Sequence, residues 1–252
     1  MLPTSSERSR RGAPNRTYHS MSTYLRRIVK PKQMDVEYTL WLMLQLCLSP
    51  KTAYRHAAYH KQTKNQWCRD DPAYLVVCCL FVAFSAAGYC VAFGTSFWGG
   101  LAVTAYAVFV EFLGLGALIA TLAWAVANRF LRKKLLPSHA VEQRVEWMYA
   151  FDVQCNSFFP LFLLLHVVQF LLLPLLLANN VLGPILSNAL HAVAFSYYHY
   201  LNFLGYSALP FLEGTELFLY PVALVLLAIP FAIVFAFNPT AVTLRWYLTL
   251  TG

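Results

Sequence analysis

The chain has 252 residues, of which 59% are hydrophobic and only 12% charged, and its mean hydropathy is +0.52. Soluble domains carry about a quarter charged residues, so this composition excludes an ordinary soluble domain and points to an all-α polytopic membrane protein. The net charge of +8 is one-sided: residues 1–72 hold 13 Lys/Arg against five Asp/Glu, and the rest of the chain holds six of each.

Residues 1–34 are basic and rich in Ser, Arg and Pro, and are expected to be a disordered tail. They contain no apolar core followed by a cleavage site, so the first apolar helix is expected to serve as the targeting signal. Residues 35–72 are expected to form cytosolic or interfacial amphipathic helices. Asp35 suits the N-cap of a helix over 35–48, whose apolar run is shorter than the roughly 20 residues that cross a bilayer. Ser49-Pro50 is a second helix-start signal. Asp70, Asp71 and Pro72 repeat that signal just before an uncharged run, with acids where a helix N-terminus favours negative charge.

Five spans are predicted, at 73–93, 101–127, 158–177, 182–204 and 217–237. Residues 128–156 read as a polar loop, and 238–252 as a lumenal tail. Eighteen of the nineteen Lys/Arg lie before the first span or in the 128–156 loop, which places both segments in the cytosol. The six cysteines form no CxxC pair and no zinc spacing, so apolar packing is their expected role.

Glu111 is the only charge well inside a predicted span, where an acid costs about 2.5–3.5 kcal/mol on insertion scales. Its helical face carries Thr104, Ala107, Gly114 and Leu118. A hydrogen-bonded or protonated acid in a packing interface is the preferred reading, and a proton or ion site the sharper one. His166 and Gln169 share one face of the third span, and Asn188, His191, His199 and Asn202 one arc of the fourth. Together with Glu111 these residues are expected to form an intramembrane polar seam. A metal site is disfavoured, because His191 and His199 stand about 12 Å apart along a helix. No nucleophile elbow, Walker loop or HExxH motif occurs, so neither an enzymatic activity nor a cofactor is expected.

Three stretches carry a family resemblance: "NQWCRDDPAY" at 65–74, "VEWMYAFDVQCNSFFPLFLLLH" at 145–166 and "FLGYSALPFL" at 203–212. They resemble the uncoordinated-50 family of Golgi multi-pass membrane proteins, from about Lys32 to Leu224. Cys68 stands where the family pattern suggests Ala, and Gln154 where it suggests His. The resemblance implies a five-span protein of the Golgi membrane, or the nuclear inner membrane, that acts in vesicular trafficking. It implies surface delivery of receptors such as nicotinic acetylcholine receptors, and engagement of large guanine-nucleotide exchange factors for Arf GTPases. RNA binding is a further implication, for which the basic tail offers the charge. The lipid bilayer is the partner that composition itself requires. Candidate partner-binding residues on the cytosolic side are Lys64, Trp67, Arg69, Asp70, Asp71, Trp147, Tyr149 and Asp152. An alternative reading is a small-ion or proton transporter, or a membrane enzyme, using the Glu/His seam.

Overall fold

The computed structural model describes residues 28, 34–55, 67–69, 71–133, 143–178 and 180–250. Among these residues the regular structure is helical, apart from one isolated bridge between Arg132 and Leu212.

Helix α1 (Val36–Leu48) starts where Asp35 predicts: its Oδ1 accepts from the Tyr38 N–H at 2.9 Å. The expected polar face is not there. Leu42, Met43 and Leu46 are buried, while Val36, Leu40, Leu44 and Leu48 are exposed on the other side. A short helix whose exposed side is mostly apolar, with Glu37 in its first turn, suits a surface in contact with lipid better than one in contact with water.

Asp71 ties α1 to α2 (Ala73–Ala92). Its Oδ1 accepts from the Ala73 N–H at 3.0 Å and its Oδ2 from the Asp35 N–H at 2.8 Å. One carboxylate thus serves two helix starts, where backbone donors lack intrahelical partners. At the far end of α2, Gly94 takes φ +63° while the Thr95 N–H reaches back to the Cys90 carbonyl at 3.0 Å. The geometry is a Schellman ending, which favours glycine at this position.

Helix α3 (Phe97–Phe130) is capped by Ser96, whose Oγ accepts from the Gly99 N–H at 3.2 Å. It contains a π-helical segment, Tyr106–Leu115. Helix α4 (Trp147–Leu176) contains a second, Leu163–Val168, just after Pro160. Pro160 itself lies in the α-helical part of α4, where its missing N–H leaves the Asn156 carbonyl without its helical donor.

Helix α4 begins at Trp147, not at Phe158, so the predicted 128–156 loop is corrected: its last ten residues are helix. They are polar enough to read as loop, yet Tyr149, Asp152, Val153, Gln154 and Cys155 are buried against other elements.

Helix α5 (Leu182–Ser207) packs along α4. The contact is close at Gly205, where an added Cβ would lie 2.6 Å from Val153 Cγ1. A short 3₁₀ turn (Thr215–Leu219) leads into α6 (Tyr220–Val234), which buries no residue and packs on α5. By length and apolar character four helices suit a membrane crossing: Ala73–Ala92, Phe97–Phe130, Trp147–Leu176 and Thr215–Val234. Helix α5 has the length, with 26 residues, but Asn188, His191, His199 and Asn202 lower its apolar character.

The predicted tail is also corrected. After a second Schellman ending at Ala236 (φ +48°), Asn238 caps α7 (Pro239–Thr249), which runs back into the bundle. Thr240 is fully buried there, and Leu244 is 8% exposed.

Candidate functional site

Two clusters emerge, one at the basic end of the bundle and one inside it. At the basic end, the three sequence stretches quoted above fold onto one another. The Arg69 N–H donates to Asp152 Oδ2 at 2.7 Å, and its guanidinium pairs with Asp152 Oδ1 at 3.3 Å. The guanidinium carbon also lies 4.2 Å from the centre of the Tyr74 ring, a cation–π distance. The Trp67 N–H donates to Glu146 at 3.4 Å, and the indole meets Tyr149 and Phe211 edge-on, with centroids 6.1 and 6.3 Å away. The Tyr149 hydroxyl donates to the Gly205 carbonyl at 2.6 Å. Tyr54 packs into the same contact, and burial pushes its hydroxyl well above the ordinary phenol range.

Of the candidate partner-binding residues, Trp67, Arg69, Tyr149 and Asp152 therefore meet in one interior cluster. The side chains of Arg69 and Asp152 are only 18% and 9% exposed. Asp71 is the double cap already described. Trp147 sits at the rim, donating its indole N–H to Thr121 Oγ1 at 3.0 Å and stacking on Phe151. Lys64 and Asp70 lie outside the described residues. Lys133, Arg144 and Glu213 are exposed charges on segments that adjoin these stretches. Lys133 and Glu213 ride on a backbone strap, in which the Lys133 N–H donates to the Phe211 carbonyl at 3.0 Å and the Glu213 N–H to the Leu131 carbonyl at 2.8 Å.

The intramembrane polar residues do not form a single seam. Glu111 sits in the π segment of α3 and accepts a hydrogen bond from the Tyr247 hydroxyl of α7, not from any histidine. His166 sits in the π segment of α4, its carbonyl accepting from the Tyr89 hydroxyl at 3.0 Å. Gln169 accepts from the Thr240 hydroxyl at 3.4 Å, and Thr240 in turn meets Ser187 at 2.8 Å. Asn188 donates to the Phe237 carbonyl at 2.7 Å and so holds the α6–α7 turn. His191 shares a hydrogen bond of 2.8 Å with the Ser187 carbonyl. His199 and Asn202 lie farther along α5, where the His199 ring meets Tyr198 edge-on and Asn202 donates to the Tyr198 carbonyl. Gln154 accepts from the Tyr198 hydroxyl.

His166, Gln169, His191 and Tyr247 line a cavity of about 200 Å³ among α2, α3, α4, α5 and α7. Its remaining walls are chiefly apolar, including Ala86, Val103 and Ala107. Among the described residues no group of three or more His, Cys, Asp or Glu could hold a metal ion. π-Helical segments are rare and concentrate at functional sites, and here they carry both Glu111 and His166. Sequence reasoning missed Tyr247, Thr240 and Tyr89. Tyr247 stands 136 residues from Glu111, and no local pattern links the two.

These features define a membrane protein whose described residues are mostly helical, with several helices long and apolar enough to cross a bilayer, a strutted basic end and a partly polar interior. The sequence profile of the UNC-50 family matches residues 24–248. The chain is 49% identical to "Protein unc-50 homolog" of Dictyostelium discoideum, over 89% of this chain and 86% of that protein. It is 40% identical to the Homo sapiens protein of the same description, over 89% and 85%. It is also 40% identical to "Protein unc-50" of Caenorhabditis elegans, over 91% and 75%. The chain belongs to the UNC-50 family. No solved structure matches it.

Proposed function

We propose that this protein is a five-span resident of the Golgi and early secretory pathway that supports vesicular trafficking, including delivery of receptors to the cell surface. In this reading α5 is the fourth crossing, the basic end faces the cytosol, and that end docks a large guanine-nucleotide exchange factor for Arf GTPases. The protein has no catalytic role of its own.

The supporting observation is the convergence of Trp67–Arg69, Glu146–Asp152 and Gly205–Glu213 in one braced block at the basic end. Loop segments that only connect spans do not require a shared ion pair, an aromatic cluster and a backbone strap. A rigid platform suits partner binding, because little order has to be gained on association. Arg69 and Asp152 are largely buried, so the docking face is assigned to the exposed residues beside them, Lys133, Arg144 and Glu213.

The test is co-purification of Arf exchange factors with wild-type protein and with Lys133→Glu/Arg144→Glu at equal abundance in the Golgi. Charge reversal on the rim should lower recovery severalfold, because rim charges act mainly on association. Equal recovery would remove this face as the docking site.

A further inference from the structure

A pocket at the end of the bundle away from the basic face has no part in the trafficking proposal. It holds about 440 Å³ and is lined by Phe93, Leu177 and Leu248 together with Asn180, Asn238 and Arg245. Three observations bear on its occupant.

The first is level. Phe93 follows the last residue of α2, and Leu177 the last residue of α4. Both helices are long and apolar enough to cross a membrane. The pocket therefore sits where they leave the bilayer, at the depth of lipid headgroups. The second is charge. Arg245 is the single Lys or Arg after Arg144. It is exposed, and its guanidinium makes no hydrogen bond or ion pair among the described residues. Among those residues no Asp or Glu lines the pocket. A cation at the edge of a bilayer is stabilised by pairing, and here the counter-charge has to come from outside the chain. The third is a spare donor. Asn180 Oδ1 accepts from the Leu182 and Gly183 N–H groups at 3.1 and 3.2 Å, which fixes the carboxamide and leaves its Nδ2 without an acceptor among the described residues. Asn238 has already given its Nδ2 to the Leu176 carbonyl at 2.7 Å.

These features discriminate among ligands. A metal cation meets a positive charge and no carboxylate. A bare hydrocarbon chain leaves Arg245 unpaired. A free inorganic anion satisfies the donors but leaves Phe93, Leu177 and Leu248, all exposed, against water. A phosphate attached to acyl chains answers both needs, because a guanidinium grips phosphate with two parallel hydrogen bonds. Arg245 stands about 9 Å along α7 from Pro239. Helical side chains lean toward the N-terminus, and a long basic one extends its head to the polar boundary.

We propose that this pocket binds the phosphate of a glycerophospholipid in the adjacent leaflet. Arg245 and Asn180 hold the phosphate oxygens, and the acyl chains run along Phe93, Leu177 and Leu248. The site is the same for either orientation of the chain, since both helix ends stay at a membrane boundary.

The test uses the full chain in dodecyl maltoside micelles, which carry no phosphate. Two photoactivatable, alkyne-tagged probes are compared: a phosphatidate and the diacylglycerol with the same acyl chains. Labelled peptides are counted by mass spectrometry. Helix α6, which buries no residue, supplies the non-specific background. The ratio of α7 to α6 labelling should be about tenfold higher with phosphatidate than with diacylglycerol, the value of one charge-assisted hydrogen bond. Inorganic phosphate, at an ionic strength matched with chloride, should leave that ratio unchanged. Arg245→Gln should remove the difference between the two probes on α7, while labelling at the basic end stays as in wild type.

The wild-type comparison of the two probes is decisive by itself if the variant fails to fold. Equal α7 labelling by phosphatidate and diacylglycerol would overturn the proposal. So would a phosphatidate signal on α7 that Arg245→Gln leaves unchanged. Displacement of that signal by inorganic phosphate would overturn it as well, and would make the pocket a site for the free anion.

Discussion

At the scale of single residues, the pair Arg69–Asp152 decides how the basic end holds together. Both groups are largely withdrawn from water, so each depends on the other for its charge. Removing one partner leaves a buried charge uncompensated, a loss of about 3–5 kcal/mol. Arg69→Met alone should therefore lower thermal stability sharply, and Asp152→Leu alone likewise. The double variant should recover part of the Asp152→Leu loss, because a well-packed apolar pair can replace a buried ion pair, while the residue 69 N–H remains without its Asp152 acceptor. A thermal-denaturation series on the four purified proteins measures this, and equal losses in single and double variants would contradict it. The turn into α7 offers a test of opposite sign. Gly94 and Ala236 hold equivalent left-handed positions, yet only Gly94 lacks the Cβ that makes φ near +50° costly. Ala236→Gly should raise stability by about 1 kcal/mol, whereas Gly94→Ala should lower it by a similar amount, both visible in the same assay.

At the scale of elements, the sequence made some features legible and hid others for physical reasons. The starts of α1 and α2 were readable, because capping is local chemistry: Asp35 and Asp71 act on backbone within three residues of themselves. The early start of α4 was not readable. Asp152 and Gln154 look like loop residues until Arg69 and Tyr198 supply their partners from elsewhere in the chain. The two π segments were invisible because the hydrophobic period does not distinguish α from π pitch over one or two turns. Glu111 was found, but its partner was sought among the histidines, since α7 read as a tail. The polar seam failed as a single object because side chains sharing a helical face meet whichever neighbour that face reaches, and α7 intervenes. The place of α7 is testable through Tyr247. Tyr247→Phe leaves Glu111 without its donor and should cost about 1–3 kcal/mol, the penalty of an unsatisfied buried polar group. Glu111→Gln retains an acceptor for the tyrosine and should remain close to wild type. Melting curves of the two variants in the same detergent would show the difference, and equal melting would place α7 outside the bundle.

At the scale of the whole molecule, the two ends of the bundle are built differently. The basic end is braced by an ion pair, aromatic contacts and a backbone strap. The opposite end is closed by two helix turns and by α7 folding inward. The central claim is that α5 crosses the membrane with the other long helices, which puts Arg144 and Glu213 on one side and Thr95 and Asn180 on the other. The most direct measurement places a single cysteine at each of these four positions, in a chain with Cys47 and Cys79 replaced by alanine. Those two are the endogenous cysteines that are not fully buried among the described residues. A membrane-impermeant maleimide is then applied to sealed membrane vesicles whose cytosolic face points outward. Cysteines at 144 and 213 should react at once, and those at 95 and 180 only after the membrane is permeabilised. Immediate labelling at 95 or 180, or protection at 213 when 144 reacts, would contradict the five-span arrangement.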